Sequence, residues 1–309
     1  MAASSSPLSP SPLPHPLRPA MTTTSRVLPA KLEPHVARGP LAAGGGGEAG
    51  SLTVVSWVQG ASANWLLLRY LYALLGGGGG GGRGSSSKSE DGLVGVVLLS
   101  FLRDERFWAE GCARLGMDID ALRKSGRFSF VDGLTEELLA TPDGHDPWTD
   151  AVKTRVDDAA ARLLPAPLRG GRKVLLVDGL DAHVAMTASA AEAESLLMRL
   201  RETMHSTLVT LAADEPLLRA AIRRPQQQQQ DKTTTTTGLE RQQAALVLNQ
   251  VHAANQVVSL RRLDTGAAAD VSGVLRIATV GEDGQGGAEE ELLYHVAGDG
   301  SVRVFERGA

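Results

Sequence analysis

The sequence predicts an α/β fold: a mixed sheet, mainly parallel, flanked by helices, with an antiparallel strand meander at its C-terminal end. Three observations predict it. Leu93–Phe101 is a nearly unbroken apolar run, which suits a strand buried on both faces of a parallel sheet. From Leu52 to Leu211, such runs alternate with stretches of helical periodicity. Beyond Leu239 the pattern changes to short strand-like segments, the last two joined by the turn Gly298-Asp299-Gly300.

Residues 1–50 are rich in Ser, Pro, Thr, Ala and Gly and are expected to be a disordered tail. The first 47 residues carry one acid, Glu33, beside Arg18, Arg26, Lys31 and Arg38, a balance loosely like that of a mitochondrial transit peptide. The many prolines oppose an amphipathic helix there, and Met21 offers an alternative start. Residues 51–309 then read as one domain with low-complexity insertions at 76–91, 225–238 and 281–288. The first holds seven consecutive glycines, the second is polyglutamine followed by polythreonine, and the third is Gly-rich. Long surface insertions cost little stability, and what remains fits a single core.

The elements follow in order. Leu52–Val58 is an apolar strand, then a small-residue turn, then an apolar helix over Trp65–Leu75. Leu93–Phe101 leads to Asp104, which can cap a helix carrying Trp108, Cys112 and Leu115 on one face. Asp118 can cap a short second helix with Ile119 and Leu122. A strand through Phe128, Phe130 and Val131 closes this crossover unit. Its ending, Val131-Asp132-Gly133-Leu134, is echoed by Val177-Asp178-Gly179-Leu180 at the end of the strand Lys173–Val177. Between the two, Asp146-Pro147 starts a helix that Pro165 and Pro167 stop. Glu192–Met204 is helical, Thr207–Leu211 is a fifth strand, and Asp214 can cap a helix over Glu215–Arg223. A helix from Leu239 to Ala254 precedes strands Val257–Leu263, Val274–Val280, Leu292–Val296 and Val302–Phe305.

Composition excludes several function classes. Net charge is −4, with 31 basic and 35 acidic residues, so the chain as a whole has no electrostatic footprint for nucleic acid. The single Cys112 excludes an internal disulfide and any multi-cysteine zinc site, and its place on an apolar helix face marks it as a core residue. No apolar run reaches the length of a membrane span. No His-x-x-x-His pair and no Gly-x-Ser-x-Gly elbow occurs, and His183 falls in an expected surface loop.

The strand–turn–helix at Leu52–Leu75 is where a phosphate-binding loop sits in nucleotide-binding folds. Here its chemistry is missing. Counting from Gly60 in G-x-x-x-x-G-K-[ST], the second Gly is Trp65, the Lys is Leu66 and the Ser/Thr is Leu67. The loop lacks a cation for the β/γ-phosphates and a hydroxyl for Mg²⁺. The degenerate positions Gly60, Ser62 and Asn64 read as a turn with a helix cap from Ser62 or Asn64. Asp178 ends an apolar strand where an ATPase of this layout holds its Mg²⁺ water shell. Without a phosphate loop it reads as an acid capping the turn that follows. No catalytic set, cofactor or metal is assigned. Arg219, Arg223 and Arg224, with Lys232 from the adjoining insertion, form the one modest basic cluster and are the nucleic-acid candidates.

Several stretches resemble the sixth-subunit family of the fungal Elongator complex. They are Val97–Asp104 with Phe107-Trp108, Gly116–Asp120, Arg127–Leu134, Lys173–Leu180, Ser259–Gly266, Asp270–Arg276 and Gly298–Gly308. Their order and spacing, more than any one motif, carry the resemblance, which spans most of Leu52–Gly308 outside the insertions. It implies a RecA-like domain that has lost its phosphate loop. It implies a place beside two related subunits in a heterohexameric ring, docked on the larger Elongator subunits in cytoplasm and nucleus. The ring binds tRNA, and the assembly modifies its wobble uridine (U34) with 5-methoxycarbonylmethyl or 5-carbamoylmethyl groups, the radical chemistry belonging to another subunit. In such rings the loops after the fourth and fifth strands, here Gly179–Ser189 and Ala212–Gly238, face the central opening. The alternative is an atypical RecA-like ATPase or kinase acting on its own, for which Asp178 and Asp132 at strand ends are the motive.

Overall fold

The computed structural model describes residues 28–37, 50–76, 93–135, 147–165, 171–222, 237–263, 266, 268, 270–280 and 287–306. Their strands are β1 (Ser51–Trp57), β2 (Val94–Ser100), β3 (Phe128–Asp132), β4 (Arg172–Asp178), β5 (Ser206–Ala212), β6 (Gln256–Arg261), β7 (Gly273–Thr279), β8 (Glu289–Val296) and β9 (Val302–Phe305). They form one sheet in the order β3-β2-β4-β5-β1-β6-β7-β8-β9. The strands from β3 to β6 pair in parallel, and β6 to β9 run antiparallel. The predicted architecture, a mainly parallel mixed sheet with helices on it and an antiparallel C-terminal meander, is the observed one.

Helices cover both faces, which is why the central strands read as unbroken apolar runs. Val96, Leu98, Val174 and Leu176 point into one core with α2 (Asn64–Leu75), α3 (Glu105–Arg114) and α4 (Ile119–Lys124). Val97, Leu99, Leu175 and Val177 point into the other, with α5 (Pro147–Arg162), α6 (Asp181–Thr187), α7 (Ala190–Arg201) and α9 (Gly238–Ala253). By contrast β6 alternates buried and half-buried residues, as a strand packed on one face does. The caps at Asp104 and Asp118 form as expected, their carboxylates accepting from Phe107 and Ala121 N–H at 2.9 and 3.0 Å.

Three expectations change. The tail 1–50 is not all tail: Leu28, Leu32 and Val36 are buried in the α2-side core, and α1 (Glu33–Ala37) packs against α2. Apolar residues at i, i+4 and i+8 supply the stripe that the surrounding prolines mask. The insertion expected at 225–238 ends two residues early, because Thr237 and Glu240 close a capping box on α9. His183 is not in a surface loop. It lies on α6, fully buried, with its ring stacked on Trp148 at 4.4 Å between centroids and on Phe101 at 6.3 Å. Most of the insertions at 76–91, 225–238 and 281–288, and most of residues 1–50, lie outside the described residues.

Candidate functional site

All the parallel strands end at the same edge of the sheet, where α/β proteins bind ligands. The loop after β1 runs from Val58 to Ala63. Gly60 has φ +87°, a left-handed conformation that glycine adopts without a Cβ penalty, and the Ala61 N–H donates back to the Val58 carbonyl at 2.8 Å. Ser62 Oγ accepts from Asn64 N–H at 3.3 Å within the turn, but Ser62 is not the expected helix cap. Asn64 is instead the first helical residue, and the cap position falls to Ala63, which supplies no side-chain bond. Trp65, Leu66 and Leu67, standing at the remaining phosphate-loop positions, are buried in the core.

This loop is satisfied from within the chain. The Gln59 N–H donates to Asp214 Oδ1 at 2.8 Å. Asp214, expected to cap the next helix, α8 (Glu215–Ile222), stands at that helix start through its backbone carbonyl, which accepts from Leu217 and Leu218. Its carboxylate has turned to the neighbouring strand's loop. On the other side the stem of Arg262, just beyond β6, lies along the turn, and a Cβ at Gly60 would come 3.3 Å from Arg262 Cδ. A cleft of about 720 Å³ remains between the ends of β1, β5 and β6, lined in part by Trp57, Gln59, Asp214, Glu215 and Arg262.

Asp178 is buried, and burial pushes its carboxyl up, opposed by the charge of Arg103 and by hydrogen bonds from Ser100, Arg103 and Thr210. Ser100 Oγ donates to Oδ2 at 2.9 Å, Arg103 Nη1 lies 3.4 Å from the same oxygen, and Thr210 Oγ1 lies 3.4 Å from Oδ1. Asp178 therefore does not cap its own turn. The Gly179 N–H goes to Thr210 Oγ1 at 2.8 Å, and the acid clamps β2, β4 and β5 together. A strand in mid-sheet has hydroxyls on both sides to reach, and these compete successfully with a local turn. Close by, Asp181 Oδ1 accepts from Ala212 N–H at 3.3 Å, and burial raises its pKa to about 6, helped by the charges of Asp178 and Asp214. Arg103 also lies over the half-exposed Phe107 ring, 5.1 Å from its centroid.

The basic cluster is not assembled among the described residues. Arg219 is exposed on α8 and spends its charge on Glu215, one turn away, at 2.5 Å. Arg223, Arg224 and Lys232 lie outside the described residues. Cys112 is a core residue as expected, its thiol pushed up to about 12 by burial. Among the described residues no group of three or more His, Cys, Asp or Glu could hold a metal, and no helix is long and apolar enough to cross a membrane. Sequence reasoning missed the Gln59–Asp214 bond and the Arg262 stem on Gly60. Both join segments far apart in the chain, and only the pairing of β1 with β5 and β6 brings them together. No family model matches the chain, and no curated protein matches it.

Proposed function

We propose that the chain is a non-catalytic, RecA-like scaffold subunit: a member, with two related subunits, of the tRNA-binding heterohexameric ring of the Elongator complex, required for wobble-uridine modification. One observation carries the non-catalytic part. The backbone N–H that a nucleotide phosphate would seek after β1 is already held by the Asp214 carboxylate, in a loop with no lysine and no hydroxyl at the Mg²⁺ position. An anion entering there would meet a fixed negative charge. The assignment to the ring rests on the sequence resemblance. It is supported by the mainly parallel sheet and by an Asp178 spent on holding strands together, in place of a metal.

Affinity purification of the chain from its native cells tests the reading. Two related companions are expected in equal amounts with it, and recovery as a stable lone monomer overturns it. The purified chain is expected to bind no ATP in calorimetry. Saturable ATP binding abolished by Asp178→Ala would favour the atypical ATPase or kinase instead. RNA affinity is expected to belong to the assembled ring and to fall with salt, with a log–log slope of about 0.7 per phosphate contacted.

A further inference from the structure

Residues 28–37 are held to the domain by side chains, with no strand pairing. Their backbone hydrogen bonds are local: Leu32 and Glu33 N–H donate to the Pro29 carbonyl, and His35 and Val36 N–H to that of Leu32. The attachment to the body is through side chains. Leu28, Leu32 and Val36 enter the α2-side core at 9%, 1% and 1% exposure. Lys31 pairs with Glu306 just past β9, and His35 Nε2 meets Glu290 Oε2 of β8 at 2.7 Å. The apolar stripe is thus flanked by an ion pair from Lys31 and a hydrogen bond from His35, both to the far edge of the sheet, an arrangement that fixes register as well as position. Between this segment and β1 lie residues 38–49, a stretch with four consecutive glycines. By chain length alone it can span up to ~40 Å.

We propose that the surface formed by α2 and the β8–β9 hairpin is a docking groove for a short amphipathic segment, and that residues 28–37 are its occupant, releasable and exchangeable with the same segment of a second copy. Removing it breaks no sheet ladder, only an apolar stripe, the exposed Lys31–Glu306 ion pair and the His35–Glu290 hydrogen bond, so release is separable from unfolding. Helix-in-groove recognition uses this pattern of anchors at successive turns. The tether raises the local concentration of the segment, so a free segment of the same sequence competes poorly until the tethered one is weakened. The inference stands apart from the ring assignment and does not depend on it.

A labelled peptide of residues 26–39, titrated against the full chain by fluorescence anisotropy, tests the proposal. The Leu32→Asp chain is expected to bind the peptide at least tenfold more tightly than wild type, and a peptide carrying the same substitution is expected to bind neither. A folded Leu32→Asp chain that binds no peptide, or equal binding to both chains, overturns it. Should the Leu32→Asp chain not fold, Lys31→Glu replaces it, since that side chain is half exposed. Peptide binding is then expected to rise severalfold over wild type and to fall back in the Lys31→Glu/Glu306→Lys double variant. No change in Lys31→Glu overturns the proposal equally.

Discussion

Two turns of this protein share the tetrapeptide Val-Asp-Gly-Leu, yet the acids do different work. Asp132 ends the edge strand β3 and bonds its own turn, Oδ1 accepting from Leu134 and Thr135 N–H at 2.8 and 2.9 Å. Asp178 ends β4 in mid-sheet and bonds its neighbours, Ser100, Arg103 and Thr210. The glycines differ in parallel. Gly133 donates to the Ser100 carbonyl, whereas Gly179 has φ +74° and donates to the Thr210 hydroxyl. The lesson is that a strand-end acid takes its role from its place in the sheet. Identical local sequence caps a turn at an edge and clamps strands in the middle.

The sharpest way to break this comparison is to remove both acids in turn. Asp178→Ala leaves the Arg103 guanidinium and two hydroxyls without their acceptor, and about 3 kcal/mol of stability is expected to go. That is a fall in melting temperature of roughly 6–12 °C by calorimetry. A loss below 1 kcal/mol would mean the clamp is redundant. Gly179→Ala comes next, at about 2–3 kcal/mol. It must hold a left-handed φ, and its Cβ would fall 2.4 Å from Leu102 side-chain carbons.

Asp181, just past the central turn, adds a pH dependence. Its folded pKa of about 6 lies above the ordinary carboxylate value, so the folded state binds the proton more tightly. Its contribution is fully present below about pH 4 and is lost as pH rises through 6. Asp181→Asn, which can still accept from Ala212, is expected to raise stability by about 1–3 kcal/mol at pH 8 and hardly at all at pH 4. Urea midpoints at the two pH values measure it, and equal shifts at both would refute the assignment.

The smallest effect belongs to the edge. Asp132→Ala is expected to cost about 1 kcal/mol, as loss of a cap does, and Asp132→Asn nearly nothing. Burial pushes this carboxyl up, but bonds from Thr135 and Leu134 and the charge of Arg155 outweigh it and hold the group low. Its contribution is therefore present at neutral pH and lost in acid, the opposite sense to Asp181. If urea melts of Asp132→Ala and Asp178→Ala shifted alike, position in the sheet would not be what separates them.

Much of the architecture was legible because burial on two faces leaves a plain mark. The apolar runs at Leu93–Phe101 and Lys173–Val177 are β2 and β4 within a residue or so. Val302–Phe305 is β9 as predicted. What eluded the sequence was short or non-local. Asp181–Thr187 is short and has only Val184 and His183 as buried members, too few for a helical period to register. Leu28, Leu32 and Val36 did carry a period, but within a proline-rich composition. At the candidate site, the missing lysine and hydroxyl could be read directly from Gly60–Leu67. The acceptor that fills the loop, Asp214, could not, because its partnership with Gln59 depends on β5 lying beside β1.

That placement of β1 also bears on how the protein is made. Among the described strands Ser51–Trp57 is made first, yet both of its hydrogen-bonding neighbours, β5 and β6, are translated much later. β2, β3 and β4 can assemble on one another in the meantime. On the growing chain β1 therefore waits for its strand partners until β5 has been made, and pairing across so long a stretch of chain makes completion of the sheet a late, slow step.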